Sequence, residues 1–264
     1  MTIPFWKYRS LILQMAQREV LGRYRGSVLG LAWSFFSPIL MLTVYTFVFS
    51  YVMKSRWQSL GEQQNHGEFA IVLFAGLIVH GLFAECINRA PLLIVGNANY
   101  VKKVIFPLEI LPLISLSSAC FHACISLAVM LAAQAILGIG IPATALLVPT
   151  ILPALLLLTV GLTWIIAALS VFLRDIAQTT GIFTSMLLFM SPVFYPSAAI
   201  PEKYRIFLQL NPLTPLIENT RRMMIFGEAP NWNELIIVTL VSVVIALLGY
   251  RCFQALRQGF ADVL

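Results

Sequence analysis

The sequence predicts an all-α, polytopic membrane protein with six transmembrane helices, an N-terminal amphipathic interfacial helix and a re-entrant or surface helix pair before the last span. Three observations carry this expectation. Hydrophobic residues fill 59% of the 264 positions and charged residues only 11%. The mean hydropathy is +0.88, more than a water-soluble core absorbs. The apolar residues also fall into six long runs, separated by loops whose Lys and Arg lie on alternate sides. With the bilayer as solvent, the few polar residues become the informative ones.

The elements follow in chain order. Residues 5–21 read as an interfacial helix: Phe5, Tyr8, Ile12 and Met15 share one side with Leu11 beside them, and Lys7, Arg9 and Arg18 mark the other. A helix packed on a soluble partner would show the same pattern. Gly22, Gly26 and Gly30 recur every fourth residue, a spacing that permits close helix approach. The first span is expected over 31–52 with Pro38 near its start, where the backbone should kink. A polar loop (54–68) leads to the second span (69–95), in which Glu85 and Arg89 stand four apart and can pair on one face. A substrate role for that pair is the alternative. The stretch 97–112 is polar, then basic at Lys102 and Lys103, then punctuated by Pro107 and Pro112. Spans three to five are expected over 113–137, 146–173 and 178–194, with Gly138, Gly140 and Pro142 forming a tight turn. Between 191 and 232 lie two short amphipathic pieces, 201–210 and 214–226, separated by Asn211-Pro212 and stopped by Gly227. Each is too short to cross ~30 Å of hydrocarbon. The sixth span covers 235–253.

One domain accounts for all of this: residues 1–30 as a cytoplasmic interfacial segment, 31–253 as six spans, and 195–234 as an outer gate-like segment. No polar stretch is long enough for a second soluble domain, and residues 1–30 lack the early apolar core of a secretory leader. With the N-terminus in the cytoplasm, eleven Lys and Arg fall inside and six outside, and the C-terminus returns to the cytoplasm. The net charge of +6 then reflects topology and anionic headgroups, with no nucleic-acid partner implied. Cys86, Cys120, Cys124 and Cys252 match no zinc or disulfide spacing and read as small core residues. His66, His80 and His122 are scattered, so no metal ligand set is expected.

Several functions are disfavoured by what the sequence lacks. There is no nucleophile-and-base arrangement, so catalytic residues are none and the chain is not expected to be an enzyme. No G-x-x-x-x-G-K-[ST] loop occurs, so a separate subunit must bind any ATP that drives it. No set of midplane carboxylates and no internal repeat suggests a secondary carrier.

The layout resembles the membrane subunit of type-2 ABC exporters. Five stretches are similar to the polysaccharide and polyol-phosphate export branch, including O-antigen export permeases of Gram-negative bacteria: REVLGRYRGSVLGLAWSFFSPI (18–39), VKKVIFPLEILP (101–112), FLRDI (172–176), SPVFYP (191–196) and LNPLTP (210–215). Their order and spacing carry the likeness, which covers nearly the whole chain. The resemblance implies a bacterial inner-membrane homodimer with two copies of an ABC ATPase subunit, which would hold ATP and Mg; this chain would carry no cofactor. It also implies a glycan carried on undecaprenyl pyrophosphate.

Site residues follow from the same resemblance. A coupling helix over 97–106 would present Tyr100, Val101, Ile105 and Phe106 as an apolar plug and Lys102 and Lys103 as its rim, although a solvated basic loop looks the same. Lys7, Arg23 and Arg25 are candidates for the lipid phosphate. Aromatic faces suit a moving sugar chain, and Tyr45, Phe36 and Phe189 are the lining candidates, with packing the competing role. Tyr195, Glu218, Arg221 and Arg222 would form the outer gate; either arginine pairs with Glu218 or contacts a lipid pyrophosphate. Export of a small hydrophobic drug or lipid, and a non-transport scaffold for glycan assembly, are the rival functions.

Overall fold

A computed structural model describes residues 4–52, 66–102 and 106–264. Most of the loop expected over 54–68, with Lys54 and Arg56, lies outside the described residues, as do Lys103 and Ile105. Among the described residues every regular element is helical. In chain order the helices are α1 (Pro4–Arg23), α2 (Trp33–Tyr45), α3 (His66–Arg89), α4 (Leu92–Val95), α5 (Ala98–Lys102), α6 (Leu111–Ile136), α7 (Leu152–Phe172), α8 (Ile176–Met190), α9 (Arg205–Leu210), α10 (Leu213–Arg221), α11 (Trp232–Arg257) and α12 (Phe260–Val263).

Among the described residues, five helical stretches are long and apolar enough to cross a bilayer: Gly30–Phe49, Gly67–Arg89, Leu108–Ile136, Ala143–Phe172 and Trp232–Arg257. The chain is therefore a polytopic membrane protein. The stretch expected as the fifth span is shorter than its apolar run. Helix α8 has 15 residues, about 22 Å at 1.5 Å per residue, and stops at Ser191 because Pro192 follows. Pro38 sits inside α2 without ending it.

Side-chain contacts sort the helix ends into two groups. At one end Glu19 of α1 faces Arg89 at the close of α3, and Arg257 of α11 meets Glu109 just before α6 at 2.8 Å. Phe172, Phe253 and Phe260 close the ends of α7, α11 and α12 there. At the other end the carbonyls of Met224 and Met223 accept from Gln134 and Thr144 at 3.1 and 2.7 Å. Asn219 of α10 reaches Glu234 in the first turn of α11.

Helix α1 lies on this bundle through Ile12, Ala16 and Val20, which recur every fourth residue and are all buried. Tyr8, Leu11 and Met15 pack beside them, as the amphipathic pattern predicts. The glycine run does something else. A Cβ added at Gly22, Gly26 or Gly30 would meet nothing within 4 Å, and Gly26 and Gly30 adopt φ of 86° and 51°. Their spacing marks the reversal between α1 and α2, where left-handed backbone favours glycine, and not a helix-packing stripe.

Close packing occurs instead between α7 and α11. A Cβ on Gly249 would lie 2.2 Å from the Gly161 carbonyl oxygen, and one on Gly161 would lie 2.7 Å from Ala246 Cα. Small residues let the two backbones touch, which is how helices associate where hydrocarbon supplies no hydrophobic drive. Of the cysteines, Cys86 is buried, Cys120 and Cys252 are half-buried, and Cys124 is exposed, so the core reading fits Cys86 best.

Candidate functional site

At the end where α1 lies, the predicted Glu85–Arg89 pair is one edge of a larger ionic cluster. Glu85 Oε1 lies 2.5 Å from Arg23 Nη1, 3.1 Å from His122 Nδ1 and 3.6 Å from Arg89 Nη1. Arg89 also faces Glu19. His122 Nδ1 also lies 3.1 Å from Arg23 Nη1, and its Nε2 lies 3.3 Å from the Tyr24 hydroxyl, so the ring tautomer sets the direction of each bond. The cluster joins α1, α3 and α6. Burial pushes the Glu19 carboxyl above the usual carboxylate range, and the Arg89 guanidinium pulls it back. Half of the Arg23 side chain remains exposed, and Arg25 is exposed beside it. Lys7 is not part of this group. Its ammonium sits over the Tyr8 ring, 16 residues before Arg23 and beyond a kink in α1 at Tyr8, where φ is −112° and ψ 18°.

Because Arg23 is half in solvent, its bond to Glu85 should couple weakly. A double-mutant cycle of Arg23→Ala with Glu85→Ala is expected to give about 0.5–1 kcal/mol in unfolding experiments in detergent. Strict additivity would remove the tie between α1 and α3.

The expected coupling segment is described in part. Tyr100 stacks on Phe106 with ring centroids 4.6 Å apart, and both, with Val101, pack half-buried against the chain's own core. The side chain of Lys102 lies outside the described residues, as do Lys103 and Ile105. Leu92 and Val95 of α4 are exposed nearby in sequence, an apolar pair that the reading of 69–95 as one span concealed.

Two of the three lining candidates meet in one aromatic run. Tyr45 neighbours Phe49 at 6.3 Å, Phe49 stacks on Phe194 at 5.8 Å, and Phe194 stacks on Phe189 at 5.6 Å. Phe69 of α3 stacks on Phe49 from the side. The run joins α2 to the end of α8, and Phe189 is 67% exposed. Phe36 is separate, paired edge-on with Trp33 on an α2 surface that the rest of the chain leaves open. Helix α8 shows a similar open face through Ile182, Phe183 and Met186.

The outer segment is organised around Arg221. This side chain is fully buried, and its guanidinium donates to the carbonyls of Val72 at 2.9 Å, Val193 at 2.7 Å and Pro192. The Val72 carbonyl lies within α3, and those of Pro192 and Val193 lie in the broken backbone after α8, where no helical partner satisfies them. Gly76 makes room: a Cβ there would lie 2.9 Å from Arg221 Nη2. Contact of Arg221 with a lipid phosphate, one of its sequence-based roles, is therefore corrected: the donors point at backbone, away from solvent. Pairing with Glu218 is loose at 3.8 Å, and Arg222 faces Glu228 at 3.1 Å, not Glu218. Tyr195 donates to the Phe189 carbonyl at 2.8 Å, which ties the outer segment to the aromatic run. Asn211 bridges Ser191 and the Leu213 amide, pinning the turn between α9 and α10.

A cavity of about 760 Å³ opens between α9, α10 and the first turns of α11. Sequence reasoning missed it, because its walls come from three helices whose docking no local pattern announces. The role of His122 was missed too; a histidine one turn from Ser126 on an otherwise apolar helix was the available signal.

The geometry is that of a helical membrane subunit with one basic, partly exposed end and a folded-back opposite end. The sequence profile of the ABC-2 type transporter family matches residues 10–225. The chain is similar to the O-antigen export system permease protein RfbA of Myxococcus xanthus, 29% identical over 97% of this chain and 96% of the relative. It is similar to the protein of that name in Klebsiella pneumoniae, 25% identical over 96% and 95%. It also resembles the polysialic acid transport protein KpsM of Escherichia coli, 25% identical over 89% and 90%. The match over most of the chain makes it a member of the ABC-2 type transporter family, the membrane permease subunit of a system whose ATPase is a separate protein.

Proposed function

We propose that this permease moves a lipid-linked polysaccharide, of the O-antigen or capsule kind, across the bacterial inner membrane. The observation that carries the reading is the aromatic run from Tyr45 through Phe49 and Phe194 to the exposed Phe189. Aromatic faces hold the apolar C–H faces of sugars weakly and repeatedly, which a sliding polymer needs. The similarity to polysaccharide permeases over nearly the full chain supports it.

In this reading the chain is one domain with six spans, α8 crossing with the help of the residues after it. Both termini face the cytoplasm, and two copies assemble with two ATPase subunits. The open faces of α2 and α8 meet the second copy and the passage. Residues 97–106, with Tyr100, Val101, Lys102, Lys103, Ile105 and Phe106, transmit the ATPase stroke. Arg23 and Arg25 receive the undecaprenyl pyrophosphate, with Lys7 at the far end of the same helix on the membrane surface. Tyr195, Glu218, Arg221 and Arg222 belong to the outer gate, Arg221 as its internal anchor.

Reconstitution with the cognate ATPase tests the function: lipid-linked glycan should cross the vesicle membrane only while ATP is hydrolysed. Transport without hydrolysis, or hydrolysis that never moves glycan, overturns it. Neutralising Arg23 and Arg25 together (Arg23→Gln, Arg25→Gln) should cut transport by about tenfold or more, the loss of one or two charge-assisted contacts, with membrane insertion intact. Normal transport by that variant removes both from the mechanism.

A further inference from the structure

The cavity at the α10 end has a polarity gradient along one helix. Four charged side chains line it, Glu218 and Arg222 half-buried, Glu234 and Arg205 exposed. Glu234 is in the first turn of α11; Ile237 and Val241, one and two turns further along, continue the wall as an apolar groove and are largely exposed. From Glu234 to Val241 the rise is about 10 Å. Helix α11 is one of the helices long and apolar enough to cross a bilayer, so the gradient is oriented from the aqueous boundary towards the hydrocarbon.

An oligosaccharide does not suit these walls: no aromatic ring lines the cavity to stack on a sugar face. The charges are also mixed. A purely anionic lipid would engage the arginines and meet repulsion from the two carboxylates. A headgroup carrying an ammonium and a phosphate satisfies both pairs, and its acyl chain fits the groove. The volume, about 760 Å³, lies in the range of small-molecule sites and exceeds what interstitial water needs. Arg205 binds the Ile200 carbonyl through Nε and has Glu202 3.8 Å from Nη1, and Arg222 approaches Glu228 through Nε, so each guanidinium keeps its Nη2 group for a phosphate.

We propose that this cavity is a binding site for a zwitterionic aminophospholipid of the leaflet at that end, distinct from the exported substrate. Glu218 and Glu234 hold the ammonium, Arg205 and Arg222 the phosphate, and the Ile237–Val241 groove one acyl chain. The lipid wedges α9 and α10 against α11 and sets the resting position of the outer segment.

The test uses the full chain, delipidated in detergent and titrated with phosphatidylethanolamine or phosphatidylglycerol of identical acyl chains, with retained lipid read by native mass spectrometry. Transport is not needed for this readout, so its failure and the failure of the export reading are separable. Wild type should retain phosphatidylethanolamine about tenfold more tightly, the worth of one charge-assisted contact. Glu218→Gln with Glu234→Gln should erase that preference while leaving phosphatidylglycerol binding equal or stronger. Val241→Trp, which fills the groove and leaves every charge in place, should lower retention of the ethanolamine lipid. Equal retention of the two lipids by wild type, or a preference unchanged in both variants, means annular lipid only and overturns the site.

Discussion

Replacing Arg221 with methionine is expected to destabilise the protein by about 3–5 kcal/mol, because it leaves a set of buried carbonyls without donors. The guanidinium serves Val72, Pro192 and Val193 together, so it closes the break after α8 onto α3 and α10 in one step. Lysine keeps the charge but not the planar fork, so Arg221→Lys should recover only part of the loss. Gly76→Leu should act in the same direction by a different route, driving the guanidinium out of its slot. The measurements are the thermal midpoint in detergent and the rate of proteolysis between residues 191 and 227. A methionine variant with the wild-type midpoint and an unchanged cleavage pattern would sink the role assigned to Arg221.

The second large effect belongs to the α7–α11 contact. Gly249→Val should cost about 3 kcal/mol or more, since the new carbons meet the Gly161 carbonyl and neither backbone can yield without parting the helices. Gly161→Val should be comparable, because it strikes the Ala246 backbone. Gly81→Ala is the control: nothing lies within 4 Å of its Cβ, it sits in the helical interior of α3, and it should be neutral or stabilising by about 0.5–1 kcal/mol. Crosslinking between cysteines placed on α7 and α11 checks that the helices have separated. If Gly249→Val and Gly81→Ala behave alike, close backbone packing is not what holds this pair.

The sequence made the membrane helices legible because their composition and length leave no other home for them. The amphipathic face of α1 was legible for the same reason, as Ile12 and its neighbours repeat at helical spacing. Glu85 with Arg89 was readable from spacing alone. What failed to show was every relation between distant segments. Arg221 and Val72 stand 149 positions apart, and no local rule links a guanidinium to a carbonyl across that distance. The glycines at every fourth position drew attention, yet the packing pair is Gly161 with Gly249, on two different helices. The end of α8 was misjudged by four residues, although Pro192 was visible; the apolar run continued through Val193 and Phe194 and outweighed it. Tyr45 and Phe189, the two ends of the aromatic run, were lining candidates from the sequence, but only the stacking of Phe49 and Phe194 between them makes a path.

The short α8 has an electrical consequence. A membrane voltage falls across the low-dielectric slab, and each elementary charge crossing it exchanges about 2.3 kcal/mol per 100 mV. A bilayer thinned to match that helix of about 22 Å would be thinner than the usual ~30 Å, and the same drop would fall more steeply there. Fewer charges of any extended ion crossing beside it would stand in the field at once. The full drop per charge is unchanged by that thinning, and with a negative interior it favours outward movement of an anion; only the distance over which the energy is exchanged becomes shorter.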